Sequence, residues 1–100
     1  MEIIPWRYHT KAHRPKTLEH ALKWLLASDM FTLDERSLAI AAGVNRSSVY
    51  DWKEGRSLPT EPELHGLCGA FVLNKFGRIL ATPRNQLLKE LKKIIEAEKK

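Results

Sequence analysis

Few folds accommodate the stretch ERSLAIAAGVNRSSVYDW, Glu35 to Trp52. A short helical pattern runs into Gly43, restarts at Asn45 and returns apolar residues at Val49 and Trp52, as two helices joined by a tight turn require. Ala39, four residues before the glycine, falls where the two helices would cross, and a larger side chain there would force them apart. Gly43 can take the left-handed conformation that ends a helix at little steric cost. Val44 fills the angle between the helices, and Asn45 is a good N-cap for the second. Val49 and Trp52, three apart, occupy its inner face. On a helical wheel Ser47, Tyr50, Asp51 and Glu54 then turn outward, with Arg46 at the exposed N-terminal end.

Leu38, Ala39, Gly43, Val44, Val49 and Trp52, followed by Gly55 and Pro59, resemble the helix-turn-helix of phage repressors, Cro-type proteins and the wider XRE-type regulators, over roughly Leu18 to Phe71. The resemblance implies a recognition helix, Asn45 to Glu54, whose exposed N-terminal residues enter the major groove of double-stranded DNA. It makes Asn45, Arg46, Ser47, Tyr50, Asp51 and Glu54 the candidate base contacts. Arg46 can donate two hydrogen bonds to a guanine edge, and Tyr50 can touch a thymine methyl or reach a phosphate. Asn45 serves first as a cap. Asp51 and Glu54 repel phosphate unless they accept from a cytosine amino group or orient a neighbouring arginine. Ser48, Lys53, Arg56 and Arg36 are candidate phosphate contacts, with Arg36 or the basic arm compensating for a glutamine that the family often carries near the position of Glu35. One recognition helix contacts too few bases for specificity, so the resemblance also implies a transcription regulator that binds an inverted-repeat operator as a homodimer.

One hundred residues make one domain at most, and 43% apolar residues suffice for a globular core. The single cysteine, Cys68, falls in an apolar run and reads as a buried small hydrophobe. Pro5, Arg7 and Lys11 interrupt any apolar stretch that would resemble a signal peptide, and the longest uncharged run, Leu64 to Asn74, is too short to span a bilayer. A reducing cytoplasm is therefore the expected compartment, with no membrane partner. The net charge of +5 is concentrated at the ends, in residues 1–16 and 84–100, while the middle is nearly neutral. Long-range attraction to a polyanion must come largely from those ends; equally, basic termini can simply keep a small domain soluble.

The pattern along the chain predicts an all-α protein of about five helices: a basic extended arm at residues 1–16, the helix-turn-helix domain at 17–81 and an amphipathic helix at 82–100. In the arm, Ile4, Trp6 and Tyr8 alternate with Pro5, Arg7 and His9, which favours an extended segment or edge strand. Its aromatics are expected to pack, on this domain or a second subunit, and Arg7, Lys11, Arg14 and Lys16 to meet phosphates. Leu18, Ala21, Leu22 and Leu25 make the stripe of a first helix, widened by Trp24 and Leu26. The next helix is capped by Thr32 or by Asp34. Ile40 lies off its apolar stripe, at a position usually polar in the resembled family, and either packs on a neighbouring helix or serves a protein interface. Thr60 and Glu63 form a capping box ahead of Leu64, Leu67, Cys68, Phe71 and Val72, and Gly66 and Gly69 point to close packing there. Thr82 and Pro83 suit the cap and first position of a last helix, whose stripe Leu87, Leu88, Leu91, Ile94 and Ile95 either docks on the domain or pairs with a second subunit.

No catalytic constellation stands out. His9, His13, His20 and His65 converge on no nucleophile, and the chain lacks Cys-x-x-Cys, a phosphate-cradling glycine loop and HExxH. No enzyme activity, cofactor or metal is expected. The competing class is a protein-interaction module, antitoxin-like or antirepressor-like, that uses the same helices to hold a protein partner; the near-neutral middle favours it, and the polar outer face of the second helix does not.

Overall fold

The computed structural model describes residues 3–99, which form five α-helices and a single 3-10 turn, Lys11–His13, with no strand among the described residues. The helices are α1 (Leu18–Ala27), α2 (Glu35–Ala42), α3 (Arg46–Lys53), α4 (Glu61–Phe76) and α5 (Ala81–Lys99). Local chemistry sets most of the boundaries. Thr17 caps α1 by accepting from the His20 N–H, and Asp34, not Thr32, caps α2 by accepting from the Ser37 N–H at 2.9 Å. Thr32 instead bonds Asn74 on α4, donating its N–H to the amide oxygen at 2.9 Å and accepting from the amide nitrogen at 3.0 Å. Thr60 and Glu63 make the reciprocal box at the start of α4. Gly43 and Gly77, at φ 73° and 75°, end α2 and α4 in the left-handed conformation.

The helices pack as a closed ring in the order α1, α3, α2, α4, α5 and back to α1, each touching two neighbours. Its interior holds the predicted stripes: Leu18, Ala21, Leu22 and Leu25 of α1, Leu38 and Ala39 of α2, Val49 and Trp52 of α3, and Leu64, Leu67, Cys68, Phe71 and Val72 of α4 are all buried. Phe31, before α2, meets the Phe71 ring at 4.8 Å.

Two expectations are corrected. The arm is not extended. His9 donates to the Trp6 carbonyl at 3.0 Å and His13 to the Thr10 carbonyl at 2.9 Å, so the segment folds through successive turns. With no strand beside it to pair its backbone, the arm satisfies those groups locally while burying Ile3, Ile4 and Trp6. The Trp6 indole donates to Glu90 on α5 at 3.2 Å, and its ring lies 5.6 Å from that of Trp24 on α1. Of the two aromatics expected to pack, Trp6 does and Tyr8 is 88% exposed. Residues 1 and 2 of the arm lie outside the described residues.

The last helix begins at Ala81, ahead of the predicted cap at Thr82. Pro83 sits inside the first turn, where its missing N–H would have had no intrahelical partner. Its stripe closes the ring: Leu87, Leu91, Ile94 and Ile95 are buried and Leu88 is half-buried against them, so these dimerisation candidates belong to the chain's own core. Glu98 near the end of α5 accepts from the Leu18 N–H at 3.1 Å, satisfying one of the unpaired donors at the start of α1.

α2 and α4 approach each other at backbone distance beside Gly66. A Cβ on Gly66 would stand 2.4 Å from the Ala41 carbonyl oxygen, whereas one on Gly69 would meet only Ile79, at 3.9 Å. Alanine favours a helix over glycine by up to about 1 kcal/mol, and overpacking against backbone costs about 1–3 kcal/mol. Gly66→Ala is therefore expected to lower the unfolding free energy by about 1–2 kcal/mol while Gly69→Ala leaves it equal or raises it, as read by urea denaturation of the two variants.

Candidate nucleic-acid interface

The outer surface of α3 rests on a buried inner one. Val49 and Trp52 anchor the helix in the core, and Asn45, Arg46, Ser47 and Tyr50 are exposed, with Ser48 and Asp51 half-buried. The turn from Gly43 to Asn45 is fixed by the Val44 N–H, which donates to the Ala39 carbonyl at 3.0 Å. Asn45 holds the N-cap position in an extended conformation, but its side chain makes no capping hydrogen bond. The Ser48 N–H is satisfied by the Asn45 backbone carbonyl instead, at 3.0 Å. The expected cap is thus absent and the Asn45 amide keeps its donors and acceptor.

Arg36 on α2 joins Asn45 and Arg46 around one shallow depression, with Ile40, Ala39 and Val44 as its apolar part. Two cations and an uncommitted amide therefore meet at the N-terminal end of α3. The partial positive charge of a helix N-terminus adds to them, and no acidic side chain lines the depression.

Charged groups further along α3 are committed internally. Lys53 bonds Glu35 across the α2–α3 pair and lies 5.6 Å over the Tyr50 ring. Both charged side chains are partly buried. The Lys53 hydrogen bond holds the Glu35 carboxyl below its usual range, and the Ser37 bonds do the same for Asp34. Lys53 is thus a brace between helices, which its sequence position did not reveal because 18 residues separate the pair. Arg56 folds back to donate to Asp51 at 2.9 Å, so the acid that threatened to repel phosphate is neutralised by the next arginine. Glu54 follows the last turn of α3 and is exposed.

Two of the arm's basic residues, Arg7 and Arg14, are placed beside α5. Arg14 donates to the carbonyls of Arg7 at 2.7 Å and His9 at 3.0 Å, pinning the arm's own turns. Arg7 and Arg14 border a separate cleft with Lys89 and Lys93 of α5. Lys11 and Lys16 are exposed nearby in sequence. Among the described residues no group of three or more His, Cys, Asp or Glu is placed to hold a metal, and no helix is long and apolar enough to cross a membrane.

Because Glu35 ionises more readily in the folded chain than in the unfolded one, its bond to Lys53 stabilises fully above the unfolded carboxyl pKa, and that contribution is lost as pH falls through the depressed folded value. Glu35→Gln is expected to cost about 1 kcal/mol at neutral pH, with the difference from the parent chain closing on acidification below the usual carboxylate range, as measured by chemical denaturation across a pH series. No protein-family model matches the sequence, and neither a curated protein nor a solved structure matches it significantly.

Proposed function

We propose that this chain is a sequence-specific double-stranded DNA-binding regulator of the phage-repressor and Cro kind, with the N-terminal part of α3 in the major groove. The observation that carries this reading is the cluster of Arg36, Asn45 and Arg46 around one depression at the start of a helix whose opposite face is locked in the core. A rigid inner face matters because base recognition needs donors held in register with the base edges. Arg46 supplies the bidentate donor for guanine. Asn45, free of capping, supplies an amide for adenine, and Ser47 and Tyr50 flank them. Arg36 is the phosphate contact that positions the helix. Lys53 and Arg56 are withdrawn from that role by their pairings with Glu35 and Asp51.

A single short helix reads few base pairs, so the regulator would act as a homodimer on an inverted repeat. With the α5 stripe committed to the core, that dimer has to form through another surface. One observation favours the second reading, a protein-interaction module: Ile40 is 73% exposed on α2, beside the same depression.

Selection of bound duplexes from a random library at near-physiological salt tests the two. Enrichment of an inverted repeat is expected. Arg46→Ala is expected to cost about 1–3 kcal/mol on the enriched sequence and to relax one position of it. Arg36→Ala is expected to weaken all duplexes alike and reduce the salt slope by about one. Binding without enrichment, or enrichment unchanged in Arg46→Ala, rejects α3 as the reading head.

A further inference from the structure

A groove of about 620 Å³ runs between α2 and α4 and ends at the first turn of α5. Its volume is that of a small-molecule site. Gly66, Gly69 and Ala70 of α4 and Ala41 of α2 form much of its lining, and a Cβ at Gly69 would meet only Ile79, at 3.9 Å. Ile40, Leu73 and Ile79, 73%, 48% and 54% exposed, stand along it. Three of the five large apolar side chains exposed among the described residues thus border one groove, a concentration that scattered surface hydrophobes do not show.

At the α5 end sits Arg84. Its Nε is buried without a hydrogen-bond partner, and no carboxylate of the described residues pairs with the guanidinium. The nearby Cys68 thiol is no counter-ion, since burial pushes its pKa up to about 12 against the opposing pull of the Arg84 charge. Asn74 is occupied by Thr32, and no acidic side chain lines the groove. A guanidinium on the groove wall with no internal carboxylate partner among the described residues offers an entering anion a charge-assisted hydrogen bond. One cation at the end of an apolar trough matches one negative charge on a hydrocarbon body; a nucleotide or other multiply charged ligand finds too few donors.

We propose that this groove binds a small amphiphilic carboxylate, its carboxylate paired with Arg84 and its hydrocarbon body lying over Gly66 and Gly69 between Ile40 and Leu73. The site stands independently of DNA binding. If both hold, they are adjacent, because Ile40 also borders the depression with Arg36 and Arg46.

The test titrates octanoate, octanol and octyltrimethylammonium, each below its micellar concentration, into the isotopically labelled full chain and follows its amide resonances. Octanoate is expected to give saturable shifts at Ile40, Gly66, Gly69 and Arg84, and to bind about tenfold more tightly than octanol, the value of one charge-assisted hydrogen bond. The cationic analogue is expected not to bind. Arg84→Gln should bring octanoate and octanol to about equal affinity, Arg84→Lys should keep most of the preference, and Ala41→Leu, at an exposed position, should fill the groove and weaken both ligands. Should Arg84→Gln fail to fold, the lysine and Ala41 variants decide. Equal binding of octanoate and octanol by the parent chain overturns the proposal. So do shifts centred on the cleft of Lys89 and Lys93, or no saturable binding. Groove resonances that move with protein concentration alone would make a second copy of the chain the occupant, and that also overturns it.

Discussion

The close approach of α4 to the last turn of α2, with Gly66 set against the Ala41 carbonyl, is the contact from which the remaining geometry follows. It fixes α2 against α4 at backbone distance. Gly43 then swings the chain into α3 through a left-handed residue, and Val49 and Trp52 pin α3 to the same core. α1 and α5 close the ring from the other side, joined by the Glu98 bond to the first N–H of α1 and by burial of Leu87, Leu91, Ile94 and Ile95. A closed ring leaves no helix attached to one neighbour only. Each helix is held on two sides, so the exposed outer face of α3 is carried by a support that its own eight residues could not provide.

Charge on this chain is sorted by that geometry. The sequence presents α3 and its flank as a mixture of acids and bases, Arg46, Asp51, Lys53, Glu54 and Arg56. Folding pairs Asp51 with Arg56 and Glu35 with Lys53. What remains at the N-terminal end of α3 is Arg36 and Arg46 with the Asn45 amide. A helix that is electrostatically ambiguous in sequence thus has one end free to meet an anion and another occupied by internal bonds. The same logic isolates Arg84, the cation that folding leaves buried at Nε without a partner.

The arm and the last helix show how one hydrophobic pattern admits two structures. Alternating Ile4, Trp6 and Tyr8 fit a strand as well as a turn, and the choice depended on what lay alongside. Trp24 and Glu90 offered an indole a ring contact and an acceptor, while no strand among the described residues offered backbone partners. The stripe of α5 would serve a dimer or a core equally well, and it went to the core because α1 and α4 lie alongside it.

Local interactions were legible without the fold. The cap at Thr60, the stop at Gly43, the stripes of α1 and α4, and the inward Val49 and Trp52 against outward Arg46, Ser47 and Tyr50 all depend on residues within about one helical turn of each other, a spacing that sequence displays directly. The sequence by itself therefore determined an all-α chain with a tight turn at its centre and a polar face on its third helix. Only the tertiary structure decided that Asp34 rather than Thr32 caps α2, that Lys53 braces Glu35, that the arm turns back on α1 and α5, that α5 completes the core, and that Arg84 ends beside an apolar groove. Each of these depends on partners brought together across the fold, as with Thr32 and Asn74, 42 positions apart, or Trp6 and Glu90, 84 apart, and helical periodicity carries no information at those separations.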